Sequence, residues 1–415
     1  MFYLYFTLFC FFLFSLYFYK IGSKIAFILS IIHFFSILLG LFLISIPFLQ
    51  YRLIKINFEA TFVFIFFTSI YLLSISKFEK IIRNINNLDI NYFHFQITSK
   101  LLIIINLFPT LGIISIIKRT FMFSTIDLKQ NIIFKTFNTN NFIESISFNF
   151  IGYFSDTYIF CILFYFIGII KFPKSRLNNF LILSSFSTIA SGSLVGGRTQ
   201  IIYWLLSFFI LLIIFKYYIF KDKKFYINKF TKILFISLLL IFTSFTITRF
   251  NKTYNKIIKN SELFSIVEYS GQSFLNFNYY VSEYRRKSYT IGRIFPYTND
   301  LLFKRFDLSN YRKNLNIYIG NFPTFLGDLY VDIGIFGLFI FTLTWFLFLF
   351  FFTSLIVKDK FLIYLMPICI IIMLPIKGFF YYPYHNKTAI NHIWFCILIL
   401  LLFSITNGKY NNNKL

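Results

Sequence analysis

Apolar residues fill this chain in long runs, separated by short polar stretches that almost all carry Lys or Arg. A bilayer core about 30 Å thick needs roughly 20 apolar residues in a helix that closes its own backbone hydrogen bonds. Eleven runs fit, at about 2–19, 25–49, 57–76, 101–117, 151–170, 178–195, 199–220, 232–249, 325–357, 361–380 and 388–406. The pattern predicts an all-α, polytopic membrane helix bundle of about eleven spans. Ten or twelve stay open, because segment 1–19 can merge differently with the next apolar run. Run 325–357 is too long for one upright span, so its first turns lie in the interface or the helix tilts. Segment 1–19 lacks the basic start and small-residue cleavage site of a signal peptide and is read as a span that stays.

Charge then orients the spans. With the C-terminus inside, the inner segments carry eighteen Lys/Arg and the short outer segments nine. Cytoplasmic loops are the cation-rich ones, so the C-terminus is expected in the cytoplasm and Met1 outside. The single membrane domain, 1–415, then has two outer elaborations: a smaller loop at 118–150 and a large one at 250–324. The large loop is basic, with eleven Lys/Arg against five Asp/Glu between Asn251 and Thr324. Long loops translocate largely regardless of charge and are left out of the count.

Composition agrees with the pattern. The chain is 58% hydrophobic and 13% charged, with a mean hydropathy of +0.73, where soluble domains average about 25% charged. The net charge of +25 sits mostly between apolar runs, where it orients spans, so nucleic acid is not expected as a partner. Cys10, Cys161, Cys369 and Cys396 lie far apart in apolar runs and suggest neither a disulfide framework nor a metal site. No phosphate loop, dinucleotide fingerprint or zinc motif is present. Acids within the spans are few, which weighs against an ion-coupled transporter.

Candidate chemistry gathers near the outer face. Ser191-Gly192-Ser193-Leu194-Val195-Gly196-Gly197-Arg198-Thr199 breaks two apolar runs. Arg198 is either an interfacial arginine with its head in water or a phosphate ligand, since guanidinium offers a planar fork of donors. Arg285, Arg286 and Arg293 form a basic patch among tyrosines, suited to a sugar phosphate or simply to water and anionic headgroups. Asp328 and Asp332 share one helical face at the start of run 325–357, with Tyr330 between them. They favour a helix N-terminus by its dipole, or Asp328 takes a proton from a sugar hydroxyl. His385, in an outer tyrosine-rich turn, is a second candidate base. Asp156 is placed to face the same cavity as Arg198.

With these residues in view, the chain resembles the O-antigen polymerases of the Wzy type, the oligosaccharide repeat-unit polymerases. The likeness rests on three features. They are the dominant outer loop late in a many-span chain, the Ser191–Thr199 break, and the Leu326-Gly327-Asp328-Leu329-Tyr330-Val331-Asp332-Ile333-Gly334 entry into a late span. Here the arginine stands five residues beyond Ser193 rather than directly after it. The resemblance implies a fold like the lipid-linked glycosyltransferases of GT-C type, in the inner membrane of a bacterium. It implies joining of glycan repeat units carried on undecaprenyl pyrophosphate, without metal or nucleotide cofactor, alongside a chain-length regulator. In that scheme Arg198, Arg285, Arg286, Arg293 and Tyr330 hold substrate, and Asp328 or His385 acts as base. The related O-antigen ligases and a lipid-linked glycan flippase are the alternatives.

Overall fold

The computed structural model describes residues 1–46, 54–85, 88, 90–114, 142–194, 199–219, 231–233, 236, 261–284, 324–379, 382–383 and 387–412. Among them the chain is helical and forms no sheet. In chain order the helices are α1 (Phe2–Lys20), α2 (Lys24–Ser45), α3 (Phe58–Arg83), α4 (Tyr92–Gly112), α5 (Phe142–Phe154), α6 (Tyr158–Lys171), α7 (Leu177–Ser184), α8 (Ser187–Leu194) and α9 (Thr199–Ile213). They continue with α10 (Ser261–Tyr284), α11 (Thr324–Asp359), α12 (Leu365–Lys377) and α13 (Lys387–Asn412).

Among the described residues, seven stretches are long and apolar enough to cross a membrane: Phe2–Lys20, Lys24–Ser45, Phe58–Arg83, Tyr92–Gly112, Phe142–Lys171, Thr199–Tyr217 and Thr324–Asp359. Leu362–Lys377 and Ile390–Ser404 are apolar but shorter. The chain is a multi-pass helical membrane protein. Its outward faces agree, because Phe2, Phe62, Phe336 and Trp394 are each more than half exposed, a surface suited to lipid rather than water. Of the other expected spans, 178–195 is divided into the two eight-residue helices α7 and α8. Most of 232–249 lies outside the described residues. The chain divides into two compact units: Met1–Ile82, Thr243–Phe351 and Ile371–Asn386 form the first, and Arg83–Phe242, Phe352–Ile370 and Lys387–Leu415 the second.

In the first unit, α1 and α2 form a hairpin. Gly22, at φ 71, closes α1, and the Ser15 hydroxyl donates to that of Ser30 across the pair, 3.1 Å. The entry of α2 is capped from a distance. Buried Glu79 on α3 accepts from the Ser23 hydroxyl and from the Ile25 N–H at 2.7 Å, meeting donors that a helix start leaves unmet.

α10 lies in the segment that the sequence presents as a polar outer loop, yet its residues 271–278 are all buried. The Ser36 hydroxyl donates to the Ser270 carbonyl (2.7 Å), and further along both helices Gly40 lies against Gly271 and Leu275. The two helices therefore run in the same direction. Against α3 the order reverses: Phe64 packs on Phe274 and Phe277, and Asn57 bonds Ser282. At 1.5 Å per residue, α10 is about 36 Å long, matching α2.

In the second unit, helix breaks are sealed by one buried polar network. A 3₁₀ turn, Ser155–Thr157, joins α5 to α6, and Ser185-Phe186 separates α7 from α8. Asn106 on α4 donates to Thr157 Oγ1 (2.8 Å), while its Oδ1 accepts from Ser187 (2.7 Å) and from Thr157 (3.2 Å). The Trp204 indole N–H donates to Ser185 (2.8 Å). Irregular backbone at membrane depth persists only where protein groups satisfy it; here Thr157 donates to the Phe154 carbonyl (2.7 Å), and Asn106 ties the Thr157 and Ser187 hydroxyls of the two breaks together. Asn106→Leu should lower thermal stability in detergent, by about 0.5–1.5 kcal/mol for each hydrogen bond lost. Thermal unfolding of the purified protein, read against Asn106→Gln, checks this.

Candidate functional site

Helix α11 enters the first unit under two constraints. At its start Thr324 is buried at φ 65, a conformation rare for a β-branched residue. It is held because the Phe325 N–H donates to the Gly378 carbonyl (2.7 Å). Gly378 permits this approach, since a Cβ there would meet Leu374 O at 2.4 Å and Phe325 Cδ1 at 2.6 Å. Three turns later Gly334 takes φ 67, ψ −175 and interrupts the helix, in a region open essentially to glycine alone. The run too long for one upright span is thus a short helix, 324–333, followed by a long one. The break, rather than tilt alone, accounts for the excess length.

The short helix carries two buried carboxyl groups. Asp328 and Asp332 are 7% and 0% exposed, four residues apart on one face. Asp328 Oδ2 accepts from the Tyr382 backbone N–H at 2.8 Å. Burial pushes the Tyr382 phenol above its ordinary pKa, and Tyr71, Asp332 and Asp328 push it further in the same direction. That phenol is therefore a protonated hydroxyl at neutral pH, within electrostatic reach of both carboxyl groups. Tyr330 donates to Glu59 Oε1 (3.3 Å). Glu59 stands beside the start of α3, where Asn57 accepts from the Ala60 N–H (2.7 Å) and donates to Ser282 (2.8 Å). Val331 packs on Tyr280 of α10. Below, the Tyr71 hydroxyl bonds Thr342 (3.1 Å), and the Tyr71 ring meets Phe325 and Trp345 edge-on. Lys377, next to Gly378, is also buried.

The start of α3 and the end of α10 thus meet the later part of the short helix, at Tyr330 and Val331, while its start lies beside Tyr71. Buried ionisable groups at membrane depth are costly and mark function by default. A carboxylate fixed by a backbone N–H has a set direction in which to accept a proton from a hydroxyl. Among the described residues no group of three or more His, Cys, Asp or Glu could hold a metal ion. All four cysteines are free.

Of the residues singled out from sequence, Asp328, Asp332 and Tyr330 are in this cluster, while Asp156 lies in the Ser155–Thr157 turn of the second unit. Arg198, Arg285, Arg286, Arg293 and His385 lie outside the described residues. The described chain stops at Tyr284, two residues beyond the Ser282–Asn57 bond, and resumes at Thr324, whose neighbour Phe325 bonds Gly378 and packs on Tyr71. Sequence reasoning misses Tyr382 and the pairing of Tyr330 with Glu59. The first is one tyrosine among several in a turn, and the second spans 271 positions. No family model matches the chain, and no curated protein or solved structure matches it either.

Proposed function

We propose that this protein is a membrane glycosyltransferase that polymerises oligosaccharide units carried on undecaprenyl pyrophosphate. The reading is supported chiefly by one observation. Two buried carboxyl groups, Asp328 and Asp332, lie four residues apart on a short helix, with Asp328 held by the Tyr382 backbone N–H. In this reading a hydroxyl of the acceptor glycan attacks C1 of the donor's reducing sugar. The C1–oxygen bond to pyrophosphate breaks, and the lipid pyrophosphate leaves with the electron pair. Asp328 takes the hydroxyl proton. Arg198, Arg285, Arg286 and Arg293 neutralise the leaving pyrophosphate, where fixed cations lower the barrier most. Tyr330 lines the acceptor side. The site faces the outside of a bacterial inner membrane, the C-terminus is cytoplasmic, and a chain-length regulator is a fitting partner.

A second reading, a lipid-linked glycan flippase, draws on the interruption of α11 at Gly334 beside buried Asp332, since transporters bind substrate at broken helices. An O-antigen ligase, with His385 as base, shares the chemistry of the first reading. Proteoliposomes loaded with prenyl-pyrophosphate-linked oligosaccharide separate the three. Longer glycan on the same carrier is the expected result. Glycan moved to a different lipid acceptor makes it a ligase, and transbilayer movement with no new glycosidic bond overturns the transferase reading.

A further inference from the structure

Helix α10 is unusual for a buried helix, because Gln272, Ser273, Asn276 and Asn278 are at most 5% exposed. Among the described residues Ser273 Oγ, Asn276 Oδ1 and Asn278 Oδ1 have no hydrogen-bond partner. The Asn276 amide N–H donates to Gln272 Oε1 at 3.3 Å. Buried acceptors left unmet destabilise a fold, and natural proteins keep such conflicts mainly where function demands them.

Their placement says what they serve. Gln272, Asn276 and Tyr280 fall at i, i+4 and i+8, a single stripe of the helix, and Ser273 adjoins Asn276 at i, i+3. The stripe ends at Tyr280, which packs on Val331 of the short helix bearing Asp328 and Asp332. It runs from there about 12 Å along α10. Asn278 belongs to another face, with Gly271 and Leu275. From Tyr269 to Ser282 the helix carries no charged residue, so this stripe does not address a pyrophosphate. Carboxamides and a hydroxyl match sugar hydroxyls, which both donate and accept and so satisfy either orientation of the Asn276 amide.

We propose that Gln272, Ser273 and Asn276 form a neutral hydrogen-bonding subsite for the sugar hydroxyls of a glycan whose reacting end lies at Asp328. The subsite rests on the transferase reading for its substrate, and its binding is measurable without turnover. In this structure the side chains are sealed, so glycan entry moves α10.

The test is thermal unfolding of the full chain in lipid nanodiscs with two probes, a prenyl-pyrophosphate-linked trisaccharide and the sugar-free prenyl pyrophosphate. In the wild type the trisaccharide should raise the midpoint beyond the sugar-free lipid. Asn276→Leu and Ser273→Ala should keep or raise the ligand-free midpoint, because each removes an unmet polar atom. Each should also weaken the glycan-dependent increment by about tenfold in apparent affinity, as for loss of one hydrogen bond. The proposal is overturned by variants that retain the increment, by variants whose ligand-free midpoint falls, or by a wild type with no sugar-dependent increment. A wild type that binds the trisaccharide but never lengthens it removes the polymerase reading and leaves the subsite standing.

Discussion

Asp328→Asn should abolish most glycan transfer, by about 10²–10⁴-fold, the usual contribution of a positioned acid or base. The substitution is chosen because it separates chemistry from fold. An asparagine oxygen still accepts from the Tyr382 N–H that Asp328 holds at 2.8 Å, so the turn stays docked while the carboxylate is lost. Asp328→Ala removes both, and buried donors left unmet typically destabilise by about 1–3 kcal/mol. The two variants should therefore be equally inactive but differ in thermal stability. Transfer by proteoliposomes at matched protein content, with unfolding midpoints alongside, gives both readouts. An Asp328→Asn protein with wild-type turnover would remove Asp328 from the mechanism and leave Asp332 as the buried acid to examine.

Gly271→Val should prevent the first unit from assembling. A Cβ at Gly271 would sit 2.7 Å from the Leu39 carbonyl carbon and 2.8 Å from the Gly40 nitrogen. Both are backbone atoms of α2, so no side chain can swing aside and the helices must part. Overpacking a core commonly destabilises by about 1–3 kcal/mol, and alanine here belongs at the upper end of that range. Valine pushes α10 off its seat. The Phe274 and Phe277 contacts with Phe64 and the bond from Asn57 to Ser282 would go with it. Protease resistance and the monodispersity of detergent-purified protein report the loss. Gly152→Val, at a glycine with nothing within 4 Å of a Cβ, is the matched control and should behave as wild type.

How much of the molecule is legible in its sequence depends on whether the signal is local. α1, α2, α3 and α9 follow from uninterrupted apolar runs, and each starts within one residue of where hydropathy places it, although α3 runs on to Arg83, past the end of its run at 76. α4 starts nine residues earlier than its apolar run, at Tyr92, because Asn91 caps it by accepting from the Phe93 N–H. α10 reads as loop because Gln272, Ser273, Asn276 and Asn278 depress its hydropathy, and nothing local reveals that Gly40 has left a groove for it. The break at Gly334 has no signature of its own, although the excess length of run 325–357 points to something irregular there. The face shared by Asp328 and Asp332 follows from a spacing of four. Tyr382 and Glu59 come to the site through tertiary contacts, 54 and 271 positions from their partners, which no periodicity encodes.

The seat of α10 on α2 also sets an order for biogenesis. α2 emerges from the ribosome early, and Glu79 soon arrives to cap it, so the first three helices can close on one another promptly. The groove at Gly40 then waits for a partner synthesised 231 residues later. At roughly 5–20 residues per second that interval is on the order of ten to fifty seconds. Throughout it Gly40 is without the α10 backbone that packs on it in the folded protein. Nascent chains arrested before and after residue 284 should therefore differ in what crosslinks to Gly40.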